Sequence, residues 1–458
     1  MEEILLEQYV DTKKHIIYDE CKAFTNGKNY FLLNKSGHSM LVNHELFSML
    51  YQKKVSTDFS SKLVQHRFAK FENWCNCDSY TSHEIRPEFF MIDLTTHCNL
   101  NCKYCFRDVN NPRKNQVISE EKLKDICKYI LDYCLKYNVN KISIQPWGGE
   151  PLLEMGKIKI MYEYFINSPI SVHFTIETNG ILLTEENVKW LFEHNISIGI
   201  SIDGNKKTHD SQRVFANNKG SFEQVICGIK NVQKYYGDNF GIINTITQNS
   251  IDSIEDILDF YVKDICIKHV KFNFVHESEF SDNLCLSEKQ VIDGINRMYK
   301  KILSLTKEGY SIVDMNIRHK ILNLLIRENS DICVSHGCMG GNKMIVFDIE
   351  GYIYPCELTD YIEERMGNIR SSDDLIEVVK ESQLTKTYFE DKEDTNCLSC
   401  SWRYFCRGGC SIKAKLSQTK KDDLECIINK VLYPLIIGSI LDSPQLINKL
   451  LDLEIIGE

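Results

Sequence analysis

The central part of the chain alternates between two patterns of apolar residues. Short runs rich in β-branched and aromatic residues, such as FFMIDLTT and KISIQPW, are typical of buried strands. The stretches between them, for example SEEKLKDICKYILDYCLK, space their apolar residues as an amphipathic helix does. Parallel strands need long crossover connections, and a helix between two strands provides one. The alternation therefore predicts an α/β fold with a parallel sheet over residues 89–310.

Six strands are predicted in this region. In chain order they are FFMIDLTT, KISIQPW, SVHFTIET, ISIGISID, GIINTIT and IKHVKFNFV. A partial barrel and an open doubly wound sheet both satisfy the pattern, because periodicity does not reveal the order of strands in the sheet. In both architectures the reactive groups collect at the carboxyl ends of the strands, and the candidate motifs of this chain fall there.

The two ends of the chain show different patterns. In residues 1–85, the stretch KNYFLLNKSGHSMLVNHELFSMLYQ predicts two short strands around an NKSG turn, followed by a helix that starts near Asn43. After a linker at 311–332, residues 333–430 are rich in cysteine, glycine and aromatic residues, which indicates a region ordered by metal centres. The tail at 431–458 contains VLYPLIIGSIL, an apolar run too short to span a bilayer, and we expect it to pack as a closing helix.

The composition is that of a soluble globular protein in all but one respect. The 458 residues are 43% hydrophobic and 26% charged, and the net charge of −10 disfavours a nucleic-acid partner. The first residues, MEEILLEQYVDTKKH, lack the features of a signal peptide, so we expect a cytoplasmic protein that does not bind a membrane. The exception is the cysteine count, which is nineteen. In a reducing compartment, clustered cysteines indicate metal ligands rather than disulfides.

Three cysteines follow the first predicted strand with the spacing CX3CX2C. They are Cys98, Cys102 and Cys105, in the stretch TTHCNLNCKYCFRD. Disulfides need pairs of thiols and a structural zinc site needs four ligands, so a set of three is informative. Three thiolates on a [4Fe–4S] cluster would leave the fourth iron open to a ligand that is not protein. A zinc-binding or buried-thiol loop is the alternative.

This spacing, followed by six β/α units, resembles the radical S-adenosylmethionine (SAM) superfamily. The resemblance implies a partial (β/α)6 TIM barrel in which the amino and carboxylate groups of SAM bind the open iron. It also implies that one electron from the cluster cleaves the sulfonium of SAM and releases a 5′-deoxyadenosyl radical. Such an enzyme would need an electron donor such as flavodoxin or ferredoxin.

Motifs at the ends of the following strands match the same family in order. Gly148, Gly149 and Glu150 resemble its Gly-Gly-Glu motif, whose backbone holds the methionine amino group of SAM. Glycines there let the main chain approach a ligand closely. The other positions that the resemblance implies as SAM contacts are Thr178 and Asn179 in ETNG, Ser201 and Asp203 in SIDG, Arg213, and Tyr104.

Two of these positions have specific implied roles. Arg213 resembles the arginine that pairs with the SAM carboxylate, for which a guanidinium offers two parallel N–H donors. Tyr104 matches an aromatic residue that lies against the adenine. Taken singly, each motif is also explained by turn chemistry or by a surface charge. Trp147 departs from the apolar lead that related enzymes have before Gly-Gly-Glu, and it either shapes the pocket or fills the top of the barrel.

A second set of cysteines lies in the C-terminal part of the chain. Its spacing resembles that of the SPASM domain, which follows the radical SAM domain in many peptide maturases. The seven matching positions are Cys338, Cys356, Cys397, Cys400, Cys406, Cys410 and Cys426. Cys333 is an expected eighth ligand, and a pair of zinc ribbons is the alternative for the whole pattern.

The SPASM resemblance implies two auxiliary [4Fe–4S] clusters, and therefore three clusters in the chain. The implied ligands are Cys333, Cys338, Cys356 and Cys410 for the nearer auxiliary cluster, and Cys397, Cys400, Cys406 and Cys426 for the outer one. If Cys333 does not bind, the nearer cluster keeps an open iron that could take a substrate thiolate. The remaining cysteines are expected to bind no metal; they include Cys75, Cys77, Cys127, Cys134 and Cys227.

The implied substrate is a ribosomally made peptide. Residues 1–85 resemble a small winged-helix-like α+β domain that binds leader peptides in several maturases. Such a domain captures an extended leader by strand addition at a sheet edge. An unrelated N-terminal cap and a DNA-binding winged helix are the alternatives, and the negative net charge disfavours the second.

The favoured reaction is the formation of thioether cross-links in a cysteine-rich precursor peptide. Other radical cross-links (C–C or C–O), and oxidation of a cysteine or serine to formylglycine in a sulfatase, are alternatives. Sulfatase maturases place an aspartate base directly after the cysteine that matches Cys356, and this chain has Glu357 there. Glu357 is therefore the candidate catalytic base, although a turn residue would fit the sequence equally. A non-enzymatic iron–sulfur electron carrier is a remote alternative, because a carrier needs neither an open iron nor Arg213.

Overall fold

The structure is a computed structural model of the 458-residue chain. It describes residues 1–71, 85–107, 116–275, 282–326, 338–361, 365–371, 374–382, 397 and 399–453. Cys75, Cys77 and Cys333 lie outside the described residues. The described residues form an N-terminal α+β unit, a parallel sheet with helices, and a cysteine-rich C-terminal region.

The N-terminal unit, residues 1–71, contains seven strands and two helices. In chain order they are β1 (Glu2–Leu6), β2 (Tyr9–Asp11), β3 (Ile16–Tyr18), β4 (Cys21–Thr25), β5 (Asn29–Asn34), β6 (Ser39–Asn43), α1 (His44–Tyr51), α2 (Thr57–Gln65) and β7 (Ala69–Phe71). One antiparallel sheet has the order β1-β4-β5-β6, and a second has the order β2-β3-β7. Many of the buried apolar side chains of this unit form a core of their own.

The strand–turn–strand–helix order predicted for this unit is confirmed. Strands β5 and β6 are joined by a turn in which Gly37 has a φ of +75°, a conformation that favours glycine. The side chain of Asn34 accepts two backbone hydrogen bonds from the turn residues, at 3.0 and 2.9 Å. Helix α1 begins directly after Asn43, whose side chain caps it by accepting a hydrogen bond from the backbone N–H of Leu46.

The central sheet contains all six predicted strands and one more. They are β8 (Phe89–Thr95), β9 (Lys141–Gly148), β10 (Ser171–Thr178), β11 (Ser197–Ser201), β12 (Gly241–Ile246), β13 (His269–Phe274) and β14 (Val313–Asp314). Each strand after β8 pairs in parallel with the strand that precedes it in the chain. In a doubly wound sheet, the side on which successive strands are added changes partway along the chain. Here each new strand is added on the same side, and right-handed crossovers then place all the helices on one face of the sheet, as in a partial barrel.

Helices connect the strands of the barrel. They are α3 (Glu120–Lys136), α4 (Met155–Ile166), α5 (Glu185–Glu193), α6 (Lys206–Gln212), α7 (Phe222–Tyr236), α8 (Ile254–Asp259), α9 (Glu288–Lys307) and α10 (Met315–Ile326). Cys127 and Cys134 are buried on α3, and Cys227 is exposed on α7. The segment expected to be a linker instead supplies β14 and α10 over residues 313–326.

The barrel strands have two faces with different roles. Along β10, Phe174, Ile176 and Thr178 are buried, whereas Thr175 and Glu177 are partly accessible. Because side chains alternate along a strand, the first set faces the helices and the second faces the barrel interior. The hydroxyl of Thr175 donates a hydrogen bond to Gln145 on β9 at 3.1 Å, so polar side chains of neighbouring strands meet inside the barrel.

The cysteine-rich region continues the same sheet. Its elements are β15 (Met344–Phe347), β16 (Tyr352–Tyr354), α11 (Glu357–Tyr361), β17 (Gly367–Asn368), α12 (Leu375–Glu381), α13 (Arg403–Cys406), α14 (Ser411–Leu416), α15 (Asp423–Asp442) and α16 (Pro444–Leu451). Strand β15 pairs in parallel with β8, and β16 and β17 follow as antiparallel neighbours. This pairing brings the region directly beside the strand that leads into the first cysteine motif.

The N-terminal unit packs on the C-terminal region through aromatic rings. Trp402 stacks on Phe24 of β4 at a centroid distance of 5.5 Å and on Tyr433 of α15 at 5.1 Å. The amide of Asn26 donates a hydrogen bond to Asp442, at the end of α15, at 2.8 Å. The Phe24–Trp402 stack and the Asn26–Asp442 hydrogen bond hold the N-terminal unit beside the cysteine-rich region.

Helix α15 is longer than the tail pattern suggested. It runs for 20 residues with a mean hydropathy of 1.6, so by length and composition alone it could cross a membrane. The apolar run VLYPLIIGSIL, which the expectation concerned, forms only the later part of this helix, because the helix begins at Asp423. Its buried side chains pack against α9 and α16, as expected of a closing helix. A buried core helix passes the same composition test.

Candidate active site

The first cysteine motif forms a loop directly after β8. Burial raises the pKa of both Cys98 and Cys102 to about 12, and each sulfur is within electrostatic reach of Cys105. Cys105 is tied to the same loop, because its backbone N–H donates a hydrogen bond to the carbonyl of Cys102 at 3.1 Å. The structure therefore brings the three predicted thiols together in a shielded loop, which is called the thiol loop below.

The two glycines at the end of β9, Gly148 and Gly149, lie against the end of β8 and the thiol loop. The backbone N–H of Gly149 donates to the carbonyl of Thr95 at 2.9 Å, and that of Glu150 donates to the carbonyl of His97 at 3.0 Å. A Cβ atom on Gly148 would lie 2.2 Å from the Thr95 carbonyl oxygen, and one on Gly149 would lie 2.2 Å from that of His97. The close neighbours that require glycine are thus the last residue of β8 for Gly148 and the backbone of the thiol loop for Gly149.

Glu150 joins the ends of two strands. Its buried carboxylate accepts hydrogen bonds from the backbone N–H groups of Leu152 and Asn179, at 3.0 and 2.8 Å, and from the hydroxyl of Thr178 at 2.7 Å. Burial raises the pKa of this carboxyl group, and the three hydrogen bonds oppose that shift. Both oxygens are engaged by the protein, so Glu150 and Thr178 position the end of β10 relative to β9.

Asn179 connects β10 to the thiol loop. Its side-chain amide donates to the side-chain oxygen of Asn99 at 2.7 Å and to the sulfur of Cys98 at 3.7 Å. Asn99 was not identified from the sequence, and its place inside the cysteine motif was the only available signal. Hydrogen bonds of this kind orient a ligating sulfur.

Asp203 is the centre of a buried charge network. It is fully buried and accepts hydrogen bonds from Tyr104 at 2.6 Å, Arg213 at 3.0 Å, Gln212 at 2.8 Å and the backbone N–H of Thr245 at 2.9 Å. Four donors on one carboxylate explain how a buried charge is tolerated here. Gln212 was missed by sequence reasoning, because nothing in its local pattern marks it.

The network orients the guanidinium of Arg213. Its Nε is held by Asp203, and its Nη1 lies 3.8 Å from the sulfur of Cys102. The guanidinium carbon lies 5.4 Å from the centre of the Tyr104 ring, within cation–π range. Arg213 therefore lies at the thiol loop in a fixed orientation. Ser201, the last residue of β11, is half-buried on the face of that strand that points into the barrel.

The nearer auxiliary set has three described members. Cys338, Cys356 and Cys410 are close enough that each of the other two sulfurs influences the charge state of Cys356. Burial raises the pKa of Cys338 to about 11 and also raises the pKa of Cys356. Trp147 packs against the apolar cluster that contains Cys356, so it lies between the barrel top and this set.

The outer auxiliary set lies between α13 and α15. The backbone N–H of Cys400 donates to the carbonyl of Cys397 at 3.1 Å, which places both in one turn. Cys406 ends α13, and Cys426 lies in the first turn of α15 within electrostatic reach of Cys400. The eight-cysteine expectation thus has seven members with described positions.

The donor groups fit iron–sulfur clusters in their chemistry. Sulfur is the preferred donor for such clusters, and each of the three sets is made of cysteines. The Arg213 guanidinium beside the first set fits an anionic group of a cofactor.

Charged side chains line the barrel interior between the first and the nearer auxiliary sets. Asp93 on β8 forms an ion pair with Arg107, which follows the thiol loop. Burial raises the pKa of Glu177 on β10, while Lys271 on β13 opposes that shift and Glu357 adds to it. These interior groups other than Glu357 were missed from the sequence as site residues, although their alternate positions along strands are a usable signal.

Glu357 faces this interior from the cysteine-rich region. It begins α11, directly after Cys356, and one of its carboxylate oxygens is buried with no hydrogen-bond partner in the part of the chain that the structure describes. Burial raises the pKa of this carboxyl group, and the positive charges of Lys271 and Arg107 partly oppose the shift. A surface turn residue is the wrong description of Glu357.

Comparisons with known proteins agree with this geometry. Residues 92–261 match the family model of the radical SAM superfamily, and residues 338–401 match that of an iron–sulfur cluster-binding domain, SPASM. A cysteine-type anaerobic sulfatase-maturating enzyme of Clostridium novyi is 28% identical over 69% of this chain and 85% of its own length. The radical SAM cyclopropyl synthase TigE of Paramaledivibacter caminithermalis is 24% identical over 68% of each chain.

Two solved structures share the fold. A structure titled "Native anSMEcpe with bound AdoMet and Cp18Cys peptide" superposes with a TM-score of 0.66 at 21% identity, covering 77% of this chain and 99% of that one. Streptococcus suis SuiB bound to precursor peptide SuiA superposes with a TM-score of 0.55 at 16% identity, covering 90% of this chain and 98% of that one. At these identities the similarity shows the fold alone.

Proposed function

Because this chain belongs to the radical SAM superfamily and carries a SPASM domain, we propose that it forms thioether cross-links in a cysteine-rich, ribosomally made precursor peptide. The observation that carries the proposal is the Glu357 carboxylate. It faces the barrel interior with a buried oxygen that lacks a hydrogen-bond partner among the described residues. A substrate group that donates a proton is the natural partner for such an oxygen.

The chain offers defined positions for the cofactors. Cys98, Cys102 and Cys105 would hold the first [4Fe–4S] cluster, and the guanidinium of Arg213 would pair with the carboxylate of SAM. When bound, the cluster and SAM would supply the radical chemistry that removes a hydrogen atom from a peptide carbon. Glu150 and Asn179 keep the strand ends and the thiol loop in register while this happens. The cysteine sets of the C-terminal region would hold the two auxiliary clusters.

Glu357 would perform the proton step of the cross-link. Joining a cysteine sulfur to a peptide carbon removes two hydrogens, one as the abstracted hydrogen atom and one as the thiol proton. Glu357 accepts that proton as the sulfur bonds to the carbon radical. The reaction also releases one electron, for which the iron–sulfur centres of the C-terminal region are the proposed acceptor class. Flavodoxin or ferredoxin would supply the electron that starts each turnover.

The N-terminal unit would bind the leader of the precursor. A pocket of about 280 Å³ opens between its first strands and α1, lined by Leu5, Tyr9, Leu50, Tyr51 and Lys53 among others. Strand β1 is an edge strand that pairs only with β4 in the described part of the chain. A leader could add at this edge as a further strand and place apolar side chains in the pocket. SuiB, which shares the fold, is known in complex with a precursor peptide.

The test is anaerobic turnover with a candidate precursor. Enzyme reconstituted with iron and sulfide, a one-electron reductant and SAM should release 5′-deoxyadenosine and lower the peptide mass by two hydrogens for each cross-link. Fragmentation should then locate each linkage at a cysteine. A modified peptide that has lost no hydrogens, or whose cysteines remain free to alkylation, would overturn the thioether proposal.

Formylglycine formation is a second candidate, because a relative is a cysteine-type anaerobic sulfatase-maturating enzyme. The same carboxylate would accept the thiol proton in that reaction, so the site does not separate the two by itself. The product does, because formylglycine formation from cysteine removes the sulfur atom, whereas a thioether retains it. Loss of sulfur from the peptide would therefore favour this second candidate.

A further inference from the structure

A charged network is buried beside the outer cysteine set. The ammonium of Lys320, on α10, donates to a carboxylate oxygen of Glu425 at 2.8 Å and to the side-chain oxygen of Asn429 at 2.6 Å, both on α15. The Lys320 side chain is only 3% exposed, and its ammonium lies 5.5 Å from the centre of the Tyr433 ring. A lysine so completely removed from water needs a reason, because burying its charge is costly.

The network reaches two of the expected cluster ligands. Glu425 immediately precedes Cys426, and Asn429 lies one turn further along the same helix. The amide of Asn429 donates to Glu425 at 3.0 Å and also hydrogen-bonds the sulfur of Cys406. Lys320 thus holds the side-chain oxygen of Asn429, and the side-chain nitrogen of Asn429 points toward the sulfur of Cys406.

Stability alone is a weak explanation for this arrangement. Replacing a buried ion pair by apolar residues of similar size is often neutral or stabilising. The reduction potential of an iron–sulfur cluster, in contrast, depends on nearby charge and on hydrogen bonds to its sulfur ligands. A nearby charge and a hydrogen bond to a sulfur ligand are both present here, in one connected group of side chains.

We propose that Lys320 is a positioning residue that raises the reduction potential of the cluster bound by the outer cysteine set, Cys397, Cys400, Cys406 and Cys426. This rests on the proposed ligand set. The ammonium offsets the negative charge of Glu425 and fixes the Asn429 amide toward Cys406. Both effects favour the reduced cluster, which is the more negative state. The outer cluster is thereby kept able to receive an electron released during substrate oxidation.

The test is a redox titration of full-length enzyme followed by electron paramagnetic resonance. Replacing Cys98, Cys102 and Cys105 by alanine gives a background without the first cluster. In that background, Lys320→Met should lower the ratio of reduced to oxidised outer cluster about tenfold at a fixed solution potential. For a one-electron couple, this corresponds to a reduction potential lower by about 59 mV. Lys320→Arg keeps the positive charge, so the reduction potential of its outer cluster should stay near that of the unmodified protein. This variant keeps the proposal testable if Lys320→Met folds poorly.

Two further variants make the test specific. Lys320→Met/Glu425→Gln removes both charges and should return the potential to at least its original value. Lys430→Met removes an exposed charge on α15 near Cys426, and because water screens that charge it should shift the potential far less. An unchanged potential in Lys320→Met, or an equal shift in Lys430→Met, would overturn the role of Lys320.

The ligand set is tested separately by iron content. Cys406→Ala/Cys426→Ala should lose about four irons per chain if the outer set holds a [4Fe–4S] cluster. Unchanged iron in that variant would overturn the ligand assignment, whatever Lys320 does. Lost iron together with an unchanged potential in Lys320→Met would overturn only the inference about Lys320.

Discussion

Replacing Gly149 by alanine should misplace the thiol loop without unfolding the protein. The added Cβ would lie 2.2 Å from the carbonyl oxygen of His97, 2.5 Å from its carbon and 2.9 Å from the backbone nitrogen of Cys98. Ordinary contacts begin at about 3.4 Å, so the loop and β9 must separate by about 1 Å, and no flexible side chain can yield instead. Gly149 has no left-handed φ, so the effect is purely steric.

The magnitude follows from that displacement. Overpacking of this kind costs about 1–3 kcal/mol of stability. A shift of about 1 Å between reacting groups can reduce a rate by about 100-fold. We therefore expect a lower unfolding temperature and a 5′-deoxyadenosine release rate reduced by about 100-fold, with the auxiliary clusters retained. Iron content, thermal unfolding and chromatography of the nucleoside product measure these three quantities on one sample.

A matched control is available on the next helix. Gly156, in α4, has no atom within 4 Å of an added Cβ, so Gly156→Ala should leave turnover unchanged and stabilise the helix by about 0.5–1 kcal/mol. If Gly149→Ala released 5′-deoxyadenosine as fast as Gly156→Ala, the close approach of β9 to the thiol loop would not matter for catalysis. The assignment of the Gly-Gly-Glu motif to the active site would then be wrong.

Four further outcomes are expected. Arg213→Ala should weaken SAM binding by about 10–100-fold, the value of one charge-assisted hydrogen bond, and unchanged affinity in calorimetry would remove Arg213 from the site. Glu357→Gln should slow peptide cross-linking by about 100-fold or more while 5′-deoxyadenosine release continues, and equal loss of both would contradict a base at that position. Tyr51→Ser, at a side chain 62% exposed beside the N-terminal pocket, should raise the KM of a leader-bearing peptide but not that of its leaderless core. Phe24→Ala should lower the free energy of unfolding by about 3–5 kcal/mol in denaturant titrations, since Phe24 is 2% exposed and stacks on Trp402.

Patterns with a local cause were predictable from the sequence. The six strands are recognisable because buried parallel strands need continuous β-branched and aromatic runs. The turn at Gly37 and the helix start at Asn43 are recognisable because a positive φ and an orphan N–H each favour particular residue types. The cysteine spacings are also local, since neighbouring irons constrain how many residues separate their ligands.

Features that depend on distant residues were not predictable. The length of α15 was misjudged because helix extension into polar residues depends on packing against α9 rather than on the apolar run alone. The segment expected as a linker became β14 and α10 because β13 offered an open edge for pairing. Interior residues such as Glu177 and Lys271 were missed because each looks like an ordinary strand residue until the barrel brings them together.

The sequence by itself determined the resemblance to known enzymes, the order of the strands along the chain and the grouping of the cysteines, because these depend on residue type and local spacing. Only the tertiary structure decided what those residues contact. It directed four donors to Asp203, laid Gly149 against the thiol loop, and buried the side chain of Lys320 and one carboxylate oxygen of Glu357. The physical reason is that hydrogen bonding, steric contact and burial are properties of pairs of residues, and the chain brings those pairs together only when it folds.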